Sequence, residues 1–129
     1  MSEKTQQRLA DLARALDRLD EALAVSPDAP LAVDGTVQRF EFTFELAWKT
    51  AKAALHDEGV ATRTPREALR EAMRAGWLDD EQAWLDMFDG RNLSSHVYSE
   101  EAAAEIYGRI RTNAPALRAL YDRLRSVSL

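Results

Sequence analysis

Cysteine is absent from this chain, which removes disulfides and thiolate metal sites and makes a reducing cytoplasm the expected compartment. Histidine is nearly absent too. Only His56 and His96 occur, far apart in sequence, and no carboxylate cluster has a credible ligand spacing, so no metal site or other cofactor is expected. Long apolar runs are missing: nothing approaches the ~18 residues that read as a membrane helix, and the polar opening Met1 to Gln7 does not read as a signal peptide. Strand-like alternation is missing as well, and prolines and glycines number only four and five. At 129 residues the chain is the size of one domain, 1–129, with a single core.

A basic surplus is also lacking. Seventeen Lys and Arg face twenty-two Asp and Glu, a formal charge of -5, which argues against coating nucleic acid through a broad basic face. Any RNA contact must be local. Lysine occurs only at positions 4, 49 and 52, and arginines at 39, 63, 66, 70, 74 and 91 read mostly as solvated helix faces.

What the chain has in abundance is helical periodicity. Leu9, Leu12, Leu16, Leu19 and Leu23 alternate three and four apart, predicting a first helix over about 3–25. Two prolines within Ser26 to Pro30 break it. A second helix over about 34–57 is so apolar, with Val37, Phe40, Phe42, Phe44, Leu46, Trp48 and Leu55 on more than one face, that it reads as the central buried element. Gly59 ends it. Thr64-Pro65-Arg66-Glu67 is a capping box with proline at the first helical position, opening a third helix over about 65–75 that Gly76 stops. A fourth begins near Asp79 or Asp80, with Gly90 marking a kink or a close approach. Ser99 caps a fifth, which Pro115 should kink or split. The expected fold is all-α, an up-and-down antiparallel bundle of about five helices. Trp48, Trp77 and Trp84 lie among aliphatic positions and read as core or interface.

The chemistry concentrates in Arg91 to Tyr98. A guanidinium grips phosphate through two prongs, and an imidazole moves protons near neutral pH. On one regular helix Arg91 and His96 would point ~140° apart. Either the helix unwinds at Ser94-Ser95, or a second copy of the chain completes the site. Asn92 and His96 are four apart, which suits Asn92 to orient the imidazole. The plainer reading pairs Arg91 with Asp86 or Asp89 and leaves His96 as a cap on the helix end. Glu41, Glu45 and Lys49 recur four apart on helix two, as an ion-pair row or a contact with the motif helix or a partner.

Four blocks in order, Gln38 to Thr50, Thr64 to Glu67, Trp84 to Phe88 and Arg91 to Glu101, resemble the nucleotidyltransferase substrate-binding branch of the HEPN family. The spacing Arg-x4-His-x-Tyr resembles that family's signature. The resemblance implies a homodimer paired with an MNT-type nucleotidyltransferase in a two-protein, toxin-antitoxin-like module. It further implies a metal-independent endoribonuclease in which His96 takes the 2'-hydroxyl proton and Arg91 stabilises the scissile phosphate. Tyr98 is then a site where the partner adds AMP, switching the site off. The alternative within the family is a non-catalytic substrate-binding subunit, with Arg91 and Tyr98 binding a small-molecule or nucleotide ligand. A bare interaction scaffold is the third reading.

Overall fold

Five helices follow one another along the chain: α1 (Glu3–Ala24), α2 (Ala32–Asp57), α3 (Pro65–Arg74), α4 (Glu81–Ser94) and α5 (Glu100–Val127). The computed structural model describes residues 1–94, 96 and 99–127, and among them there is no strand. Most breaks are chemically explicit. The Ser2 hydroxyl accepts from Thr5 N–H at 3.2 Å to cap α1, and Asp80 accepts from Ala83 N–H at 3.1 Å ahead of α4. Gly59 and Gly76 take φ of 85° and 79°, the left-handed conformation that stops a helix at low cost only for glycine. Thr64 caps α3 by accepting from Glu67 N–H at 3.1 Å. Glu67 reaches back to the amide of Arg63 at 2.8 Å, one residue earlier than in the usual capping box.

The α2 start, expected near 34, lies at Ala32. Leu31 is its N-cap, with φ 66°, no side-chain cap and 79% of its surface exposed. A left-handed non-glycine residue costs ~1–2 kcal/mol, and little packing offsets it here. Leu31→Gly is therefore expected to stabilise the fold by about 1 kcal/mol, read as a higher urea midpoint with an unchanged slope. A lower midpoint would show that the leucine contributes more than its backbone costs.

Cross-helix bonds give the directions. Thr5 donates to Asp57 at 2.7 Å, and the Thr50 and Thr43 hydroxyls lie 3.3 Å from the carbonyls of Arg8 and Ala15, so numbers fall on α2 as they rise on α1. Arg111 donates to the Leu23 carbonyl at 2.9 Å, and Arg118 to Asp20 at 2.7 Å, making α5 antiparallel to α1. Thr36, Thr43 and Thr50, seven apart, are fully buried. Each hydroxyl is satisfied by the carbonyl four residues back.

As predicted, α2 is the central helix and packs on the other four. Phe44 packs against Phe40, Trp84 and Phe88 through tilted and edge-on ring contacts at 5.8–6.3 Å, while Leu12, Leu16, Leu19, Leu117, Leu120 and Leu124 fill the α1–α5 side. Trp48, Trp77 and Trp84 are all buried. Phe42 is the exception to the buried reading of α2, with 52% of its surface exposed. It lies two residues, ~200°, from the inward-facing Phe40 and Phe44. Gly90 is a close approach: a Cβ there would meet Arg109 Cδ at 3.0 Å. Pro115 does not split α5, which is assigned continuously through it. The Arg111 carbonyl forgoes its usual amide, and Pro115 lies on the exposed side of the helix. No helix of the described residues is long and apolar enough to cross a membrane.

Candidate functional site

Arg91 and His96 come together within one chain. The helix carrying Arg91 ends at Ser94, and His96 lies in a turn beyond it, its amide donating to the Leu93 carbonyl at 2.9 Å. The ~140° divergence of a continuous helix therefore does not apply. Both residues line an open cleft of about 660 Å³ with Asn92, Ser94, Glu41, Glu45 and Phe42. Asn92 is a last-turn residue of α4 while His96 has left the helix, and both line the cleft. Tyr98 lies outside the described residues.

The partner of Arg91 is neither Asp86 nor Asp89. Its guanidinium bonds Glu45 on α2 at 3.2 Å, because the α4 face bearing Arg91 turns toward α2. Glu45 also pairs with Lys49 at 3.5 Å, so within the row it is Glu45 that makes both the ion pair and the contact with the motif helix. Glu41 lines the same cleft and has no ion-pair partner among the described residues. Burial pushes the Glu45 carboxyl up. The Trp48 indole N–H, buried and short of full hydrogen-bond geometry, together with the charges of Arg91 and Lys49, pulls it down by more, so its pKa lies below its ordinary value near 4.5.

The sign of the consequence is fixed. A carboxyl whose folded pKa is depressed adds stability above its unfolded value, and that stability is lost as pH falls through the lower folded one. Acid should weaken the α2–α4 contact, and Glu45→Gln should flatten the fall in urea midpoint below about pH 4.5. An unchanged acid profile would mean that the half-exposed pair is screened by water.

This arrangement presents a fixed cation, an imidazole and a carboxamide around a space wide enough for a phosphate and its neighbours. Among the described residues, no three His, Asp or Glu side chains gather as metal ligands. Sequence reasoning missed two members of the cleft, Phe42 and Ser94. The first could have been found, because Phe42 falls off the three-four spacing set by Phe40, Phe44 and Ala47. The second could not, since serine near a helix end is ordinarily a cap, and Ser94 does bond the Arg91 carbonyl at 2.8 Å.

A family model described as "Nucleotidyltransferase substrate binding protein like" matches residues 7–126. The "Probable ribonuclease HepT" of Haemophilus influenzae is 35% identical over 83 residues, covering 60% of this chain and 57% of that protein. The chain therefore spans somewhat over half the length of that relative. A crystal structure from Thermus thermophilus superposes with a TM-score of 0.82 at 35% identity, over 88% of this chain and 98% of that one. A further solved structure, from Haemophilus influenzae, was described as revealing the fold of a substrate binding domain of a nucleotidyltransferase. It also superposes at 0.82, with 28% identity over 91% of this chain and 98% of that one. The chain belongs to the nucleotidyltransferase substrate-binding protein-like family, the branch of the HEPN proteins that its four sequence blocks resemble.

Proposed function

We propose that this protein is the HEPN subunit of a two-protein module with an MNT-type nucleotidyltransferase, and that it is a metal-independent endoribonuclease. The observation that carries the reading is the convergence of Arg91, Asn92 and His96 on one cleft, with Arg91 steadied by Glu45. The likeness to a probable ribonuclease at 35% identity agrees with it. His96 removes the proton of a 2'-hydroxyl, the freed oxygen attacks the adjacent phosphorus, and the P–O bond to the 5'-oxygen of the next nucleotide breaks, that oxygen taking a proton from water. A 2',3'-cyclic phosphate remains. Arg91 offsets the charge gathering on the phosphate oxygens, and one edge of its guanidinium can serve that purpose while the other holds Glu45. Asn92 keeps the imidazole in place. The homodimer belongs to this proposal, since the exposed Leu85 and Leu93 are apolar surface that a second copy would cover.

A second reading is favoured by the nucleotidyltransferase substrate-binding fold and by a cleft of small-ligand size. Here the chain is a non-catalytic subunit that presents an acceptor to the nucleotidyltransferase, with Arg91 as an anion anchor. One experiment separates them. Purified protein is incubated with total RNA, with and without EDTA, and products are tested for 2',3'-cyclic ends. Cleavage that survives chelation is expected. No cleavage at any protein concentration, with no growth defect on expression without the partner, would make the substrate-binding subunit the better account.

A further inference from the structure

The grooves between α1 and α2 carry a charge pattern at odds with the acidic chain. Beside the cleft, and sharing Phe42 and Glu45 with it, is a groove of about 390 Å³ lined by Arg14, Arg18 and Arg39. Farther along the same helix pair is another of about 260 Å³, lined by Lys4, Arg8, Lys49 and Lys52. Every lysine of the chain is there. Only two carboxylates line the pair of grooves, and both are engaged: Glu45 by Arg91 and Lys49, and Asp57 by Ser2 and Thr5. Arg14 is answered by Asp11. Lys4, Arg8, Arg18, Arg39 and Lys52 have no carboxylate partner among the described residues.

We propose that this α1–α2 face is the track along which an RNA strand enters the cleft. The inference rests on RNA as the ligand of the proposed site and names how the strand is held. Lys4 to Arg18 spans ~21 Å along α1, long enough for several successive phosphates. Cations lining a groove follow a backbone without reading sequence. Phe42 stands where groove and cleft meet, 52% exposed on an otherwise polar rim, and offers a flat face to one base. The local basic stripe reconciles RNA binding with a net charge of -5.

The test uses the full-length chain and a fluorescent 12-nucleotide 2'-O-methyl RNA, which lacks the attacking hydroxyl and so reports binding alone. Affinity is measured by anisotropy at several salt concentrations. The double variant Arg18→Ala/Arg39→Ala is expected to reduce the slope of log affinity against log salt by about 1.4, for two phosphate contacts at ~0.7 each. Phe42→Ala is expected to weaken binding by about 5- to 150-fold, with little change in slope. A matched charge control, Arg70→Ala/Arg74→Ala on α3, should leave the slope unchanged. Equal losses from both double variants would overturn the track, as would an unchanged RNA slope accompanied by a dimer turned monomer in sedimentation, which would make the face a protein interface. Cleavage of the same sequence as ordinary RNA is followed in parallel. If binding depends on the stripe but wild-type protein does not cut, the ribonuclease reading fails and the track stands. If wild-type and stripe variants cut with equal kcat/KM, the track fails and the ribonuclease stands.

Discussion

His96→Ala is expected to lower RNA cleavage by about 10²- to 10⁴-fold, the range for removing a positioned general base, and to abolish the growth defect of the chain expressed without its partner. The fold should not change. His96 is exposed and follows the end of α4, so far-ultraviolet circular dichroism and the thermal midpoint should match wild type. The size of the effect separates two roles. A histidine that merely caps α4 would be worth a fraction of a kcal/mol at an exposed site, and its loss would leave turnover nearly intact. Retention of more than roughly a tenth of the wild-type rate would sink the assignment of His96 as base.

The contrast between what was and was not legible in the sequence follows from the range of the forces involved. Helix limits came out within about two residues wherever a local signal existed: Thr64 with Pro65, Gly59 and Gly76 each act through backbone geometry within a few residues. The start of α2 has no such signal, because its N-cap Leu31 offers no side-chain cap. The burial of Phe40, Phe44 and Trp84 was legible as periodicity, whereas the exposure of Phe42 was obscured by treating the whole of α2 as apolar. Among the candidate site residues, the Arg91 and His96 motif could be named but not assembled. Helical angles set them apart, and the decisive event, the end of α4 at Ser94, is weakly encoded by two serines. Arg91 was matched to acids on its own helix because spacing can rank only local partners. Its bond to Glu45 joins residues 46 apart in sequence, a fact of packing between α2 and α4. The basic face of α1 and α2 was invisible for the same reason. Its cations come from two helices and look, on either one alone, like ordinary solvated charge.

Modification at Tyr98 is expected to be all-or-none. Incubation of the chain with its cognate MNT-type nucleotidyltransferase and ATP should add one or more AMP masses to the intact protein, and Tyr98→Phe should eliminate the addition while leaving the oligomeric state unchanged. The argument joins the resemblance to the Arg-x4-His-x-Tyr signature with the chemistry around that position. Two residues earlier in the chain, His96 lines the cleft, and two residues of extended chain span at most ~7 Å, so a nucleotide attached to this phenol is tethered close to the catalytic position. One residue later, the Ser99 hydroxyl accepts from Ala102 N–H at 3.1 Å to cap α5. Helix N-termini attract phosphate, but the exposed Glu100 and Glu101 in that first turn oppose it. Arg91, whose guanidinium already holds Glu45 and can offer its remaining donors, is then the better counter-charge. A phosphate bound there competes directly with the scissile phosphate of RNA and leaves the base intact but without substrate. Modified protein should therefore lose cleavage, and treatment with a phosphodiesterase that removes AMP should restore it. Tyr107, whose hydroxyl is buried, and Tyr121 on α5 provide internal controls. AMP found on either of them, or none added by a demonstrably active partner, would refute Tyr98 as the switch.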